Sequence, residues 1–264
     1  MAPDPHDTPE TPEARMVRAS SQFVLGVDLG QTKDYTALAI VQRVLPELTA
    51  PSSEEKSDEQ AALESKPTYH LRYLERTPLG TPYPAIVTQT LALLSTPPLS
   101  HSSPLVVDKT GVGSAVVDMF NAAGLPTRAV TITGGDVVSK EGLHYKVPKR
   151  DLVSQLLTLY QTRRLKTAEG LPLFPVMLNE LMNFQQTVNL TTGHDSYEAW
   201  RESVHDDLVL AVALATWYAA TQLTIPMSPE TARGFLALTV GGGVKVGGKS
   251  APPISPFSLR NYRT

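Results

Sequence analysis

The chain has 264 residues, with 23 Lys and Arg, 26 Asp and Glu, and no cysteine. That length allows one sizeable core and is short for two, and the missing cysteine excludes disulfides and zinc–thiolate sites. The net charge of −3 conceals an asymmetry, because residues 1–65 carry 5 basic against 12 acidic side chains and the remainder 18 against 14. An acidic start therefore precedes a mildly basic body, which is compatible with a polyanionic partner.

Residues 1–20, rich in Pro and polar side chains, read as a disordered tail without the apolar segment of a secretory signal. FVLGVDLG (23–30) is a β-branched apolar run ending in Gly, hence a buried strand, and TALAIVQRV (36–44) returns as a second. The polar stretch 46–67 reads as a flexible insertion between strands, and TYHLRYLERT (68–77) alternates as a third strand.

Beyond it the pattern changes to helix (83–95), short buried strand PLVVD (104–108), helix (113–124) and strand (126–133). An amphipathic helix over 148–166 and another over 174–186 follow. VNLTTGHDSYEAW (188–200) reads as a hairpin, and SVHDDLVLAVALATWYA opens the last helix. Residues 225–264 are dominated by Pro and Gly and read as a tail. Leu208 to Pro229 carries no charge and is long enough to span a membrane, but its Thr, Gln and Pro residues and unflanked ends favour a buried core helix.

Three meandering strands followed by α-β-α-β-α is the order of the ribonuclease H-like fold. The expectation is an α/β domain over 21–224, with a mixed five-stranded sheet, helices on both faces and an extra hairpin before the last helix. In that sheet the first and fourth strands are neighbours.

The carboxylates give the fold a chemistry. Asp28 lies inside an apolar strand, where Asp is disfavoured; the ordinary alternative is a turn ahead of Gly30. Asp108 closes PLVVD before the loop KTGVG, where a turn or helix-entry role is the alternative. Asp206 is followed by Asp207, and Ser203 to Asp206 also fits a capping box that needs no function. Jointly, these acids fall in the interior of strand 1, at the end of strand 4 and at the start of the final helix. Convergent carboxylates without Cys suit Mg²⁺ or Mn²⁺, and two such ions ~4 Å apart can promote phosphodiester hydrolysis by water.

VLGVDLGQTKDYTALAIV, LVVDKTGVGSAVVDMF and SVHDDLVLAVALATWYA resemble, in order and spacing, the nuclease domain of tailed-phage terminase large subunits, over roughly residues 22–222. The resemblance implies a DNA endonuclease that uses two Mg²⁺ or Mn²⁺ ions during genome packaging. Asp28 and Asp108 match the first two metal-binding acids, and Asp206 with Asp207 the last acidic motif. The hairpin around Thr191–Ser196 matches one that borders the DNA path. Duplex DNA, a separate packaging ATPase, a small terminase and a portal are the implied partners, in the bacterial host cytoplasm. Leu210 stands where related members often carry another Asp, so the fourth ligand falls to Asp207. No G-x-x-x-x-G-K-[ST] phosphate loop occurs, so the family's motor is not included; the chain is a stand-alone nuclease or a piece of a longer protein.

Lys109, Lys149, Arg150 and His205 are candidate DNA contacts, against the ordinary reading of solvated surface. Trp200 and Trp217 read as core. The rivals are an actin-like sugar kinase or ATPase, with GVDLGQTKDYTALAIV and DKTGVG as phosphate loops, a Holliday-junction resolvase-like nuclease, and a catalytically inert packaging accessory protein.

Overall fold

The computed structural model describes residues 21–30, 34–46, 66–99, 103–112, 114–190 and 205–223. Strands β1 (Ser21–Asp28), β2 (Ala37–Val44) and β3 (Thr68–Arg76) come first. They lead to α1 (Tyr83–Ser95), β4 (Leu105–Asp108), α2 (Ser114–Ala122) and β5 (Thr127–Thr133). A short hairpin of β6 (Ser139–Glu141) and β7 (His144–Pro148) enters α3 (Lys149–Gln161), followed by β8 (Leu165–Thr167), α4 (Phe174–Leu190) and α5 (Asp207–Thr221).

The strands form one sheet in the order β6-β7-β5-β4-β1-β2-β3-β8. Its centre, β3-β2-β1-β4-β5, has β2 antiparallel to both neighbours and β4 and β5 parallel to β1. That is the ribonuclease H-like arrangement. The sheet has eight strands rather than five. β7 pairs parallel to β5 and antiparallel to β6 on one edge, and β8 pairs parallel to β3 on the other. β8 replaces the end of the helix expected over 148–166: α3 stops at Gln161, and Arg163 adopts a left-handed φ of 55°, which no helix continues through.

Both faces of the central strands are covered, so they read as unbroken apolar runs. Leu25, Val27, Leu105 and Val107 pack against Ile86, Leu94, Val116 and Phe120 of α1 and α2. Val24 and Val106 face the opposite way, into a core with Leu152 and Leu156 of α3, Met177 of α4 and the body of α5. α5 is buried from Asp207 to Ala219, between the sheet and the helices beside it, which is why it is apolar all round. Arg43 donates to the carbonyl of Leu223 just past its end (2.8 Å), placing a cation at a helix C-terminus. Among the described residues no helix is long and apolar enough to cross a membrane.

α4 continues to Leu190, so Val188–Leu190 are helical, not the first limb of a hairpin. The remainder of that expected hairpin, including Thr191–Ser196, lies outside the described residues, as do the expected tails at 1–20 and 225–264 and nearly all of the insertion at 46–67.

Candidate metal centre

β1 and β4 run side by side in parallel, with Val27 in register with Val107. Asp28 and Asp108 are the next residues and end their strands together. Alternation along each strand puts them on the face of Val24 and Val106, the face on which α5 lies. Asp108 is 7% exposed, and its Oδ1 accepts the Thr110 N–H at 2.7 Å. The loop after it is pinned to β5, since Lys109 N–H donates to the Val130 carbonyl and the Thr110 hydroxyl oxygen accepts the Ile132 N–H. The turn role considered for Asp108 is therefore real.

α5 reaches this edge because Gly26 lets it lie close to β1. A Cβ at Gly26 would stand 2.2 Å from the Ala211 carbonyl oxygen and 3.0 Å from the Ala215 Cβ. A glycine in a strand interior often marks such an approach. From Ala211, one helical turn towards the N-terminus is Asp207, and Asp206 stands before it.

The two acids of that pair have different partners. Asp206 occupies the N-cap position of α5 but makes no side-chain capping bond; its carboxylate accepts from Lys149 Nζ at 2.7 Å. The capping box opened by Ser203 is thus not the register of this helix, which starts at Asp207. Asp207 is buried, and both its oxygens accept from Arg76, at 2.6 and 2.9 Å. Arg76 also donates to buried Glu180 on α4, and the other Glu180 oxygen accepts the Val209 N–H at 3.2 Å. Sequence reasoning singled out neither Arg76 nor Glu180.

Of the candidate DNA contacts, only Lys149 sits on one of the acids. Lys109 Nζ lies 3.4 Å from His144 Nδ1 on β7. Arg150 is half exposed and pairs with Asp136 at 2.6 Å. His205 stands edge-on to the Tyr35 ring at 5.4 Å, and the Arg76 guanidinium lies over the same ring at 5.1 Å.

Electrostatically the edge is overloaded with negative charge. Burial, then the neighbouring charges of Asp108, Asp206 and Asp207, push the Asp28 carboxyl well above its ordinary range, against the pull of Lys149. Burial raises Asp108 to about 6, although Thr110, Asp28 and Lys149 favour its charged form. Glu180 rises to about 7 through burial and the charge of Asp207, opposed by Arg76. Among the described residues no three carboxylate or imidazole side chains already converge as a metal cage. The expected four-acid cluster is therefore not preassembled: Asp206 is held by Lys149 and Asp207 by Arg76. Asp28 and Asp108 nevertheless fit a hard divalent cation, being oxygen donors whose charge Lys149 offsets only in part, and Mg²⁺ commonly takes only one or two protein carboxylates.

A pH dependence follows. All three raised groups bind protons more readily in the fold than in the unfolded chain, so each removes stability as pH rises from its unfolded value through its folded one. For Asp108 that window runs from 3.8 to about 6, and for Glu180 from 4.5 to about 7. Metal-free protein should melt at a higher temperature at pH 5 than at pH 7. The difference should shrink in Asp108→Asn, and an unchanged difference would contradict this cause.

No protein-family model and no curated protein sequence matches the chain. Among solved structures, the large terminase nuclease from thermophilic phage G20c is similar at 18% identity, covering 76% of this chain and 82% of that one, with a TM-score of 0.44. The human cytomegalovirus terminase nuclease domain, Mn soaked, is similar at 13% identity, covering 75% and 83%, with a TM-score of 0.41. Both of these similar structures are terminase nucleases.

Proposed function

We propose that the protein is a divalent-metal-dependent DNA endonuclease of the terminase type, hydrolysing phosphodiester bonds of duplex DNA during genome packaging. The observation that carries this reading is the Asp28–Asp108 pair, two carboxylates ending adjacent parallel strands with more negative charge than their surroundings offset. When bound there, Mg²⁺ or Mn²⁺ would supply Lewis acidity for hydrolysis by water.

Asp28 and Asp108 would hold the ion, and the Thr110 N–H fixes one Asp108 oxygen. Asp206 is the next ligand, on condition that it exchanges Lys149 for the ion; the second ion of the expected pair depends on that exchange. Lys149, once released, would offer its ammonium to a DNA phosphate. Asp207 supports the site through Arg76 rather than directly. Lys109, Arg150 and His205 are proposed as contacts to the DNA backbone beside the acids, giving affinity without sequence preference. A packaging ATPase, small terminase and portal are the proposed partners, in the bacterial host cytoplasm.

The test is incubation of supercoiled plasmid with the protein in Mn²⁺, Mg²⁺ or EDTA, with and without ATP. Nicked and linear products should form with metal, independently of ATP, and vanish in EDTA. Cleavage that persists in EDTA, or no cleavage with either metal, would contradict the proposal.

A further inference from the structure

An N-cap side chain ordinarily accepts the N–H of the second or third helical residue. In α5 the third is Val209, yet its N–H is taken by Glu180 from a different helix, at 3.2 Å, while Asp206 makes no capping bond. Glu180 is itself buried, 6% exposed. Arg76 closes the arrangement, holding the second Glu180 oxygen and both oxygens of Asp207. Tyr35, whose ring lies against the same guanidinium, connects this lock to the loop after β1.

We propose that Glu180 and Arg76 are positioning residues for the acidic edge. Glu180 caps α5 in place of Asp206, and Arg76 ties Asp207 to that cap. Asp206 is thereby released from the competing local role and directed towards Lys149 and the ends of β1 and β4. Burial alone would not explain the division of labour: of two adjacent acids, one is locked twice over and the other is left to a single, exchangeable lysine. The inference rests on the metal-site reading above.

It is tested by calorimetric titration of the 264-residue chain with Mn²⁺ alone, without DNA. Outer-sphere partners of a metal site typically contribute about 10–100-fold in affinity, and Glu180→Ala should lose that much. Glu180→Gln keeps an oxygen for the Val209 N–H and should recover a clear part of the loss. Because Glu180 acts through Asp206, the double variant Glu180→Ala/Asp206→Ala should bind no more weakly than Asp206→Ala alone. A merely structural role gives additive losses instead, and additivity would overturn the proposal, as would a Gln variant no better than Ala. If Glu180→Ala does not fold, Arg76→Lys, which keeps the charge but not the fork, takes its place in the same cycle with the same two readings. Absence of Mn²⁺ binding by the unaltered protein would overturn both this inference and the metal-site reading. Binding that Glu180→Ala leaves unchanged would overturn the positioning role alone.

Discussion

Asp28→Asn is expected to reduce metal-dependent DNA cleavage by on the order of 10³-fold or more, while making the metal-free protein more stable. The two effects have one cause. Burial and three neighbouring acids resist a charge on Asp28, so an amide of nearly the same shape removes a penalty from the metal-free fold and a ligand from the loaded one. Asp108→Asn should act alike. Its carboxyl, raised from 3.8 to about 6, costs the metal-free protein on the order of 2–3 kcal/mol at neutral pH. For a domain of this size that corresponds to a gain of about 5 °C or more in melting temperature. Thermal unfolding in EDTA, paired with a nicking assay in Mn²⁺, checks both halves. An inactive variant that is also destabilised would mean that these acids hold the fold together and that their loss of activity is incidental.

Gly26→Ala should be far more damaging than the addition of one methyl ordinarily is. The added carbon would lie 2.2 Å from a backbone oxygen of α5, at a place where no side chain can move aside. The helix must shift away from β1 or the strand must bend, at a cost of about 1–3 kcal/mol or more. The functional effect should exceed the stability effect, because the shift carries Asp206 and Asp207 away from Asp28 and Asp108. The expected outcome is a protein still folded by circular dichroism, with a melting temperature lowered by several degrees and cleavage reduced more than tenfold. Gly80 supplies the control: it lies in an open turn where an added Cβ would meet nothing within 4 Å, so Gly80→Ala is strained only through its φ of 76°. Equal losses at the two positions would contradict the close-packing explanation.

The elements that could be read from the sequence are those with a strong period. β1 to β3, α1, β4, α2 and β5 follow from alternating or continuous apolar runs bounded by Gly and Pro, and their order alone implied that Asp28 and Asp108 share an edge. The elements not read are short and polar. Ser139–Glu141 and Leu165–Thr167 are three-residue edge strands whose existence depends on the neighbour they pair with, and no local pattern announces them. The last acid pair was recognised but not its partners. Arg76 looks like any polar residue closing an alternating strand. Glu180 did leave a trace: it stands three residues after Met177 and one before Leu181, both fully buried, so helical spacing places it on the apolar face. Gly26 left one too, as a lone glycine inside the apolar run of β1. The capping role weighed for Asp206 could not be judged locally, because Glu180, which takes the Val209 N–H instead, sits on another helix.

The most direct measurement is an anomalous-difference map from crystals of the protein soaked in Mn²⁺. The metal-site reading predicts a peak beside the carboxylates of Asp28 and Asp108 at the adjacent ends of β1 and β4, with Asp207 still on Arg76, and no such peak in Asp28→Asn. Manganese bound only elsewhere on the surface, in crystals of protein that still cuts DNA, would contradict it.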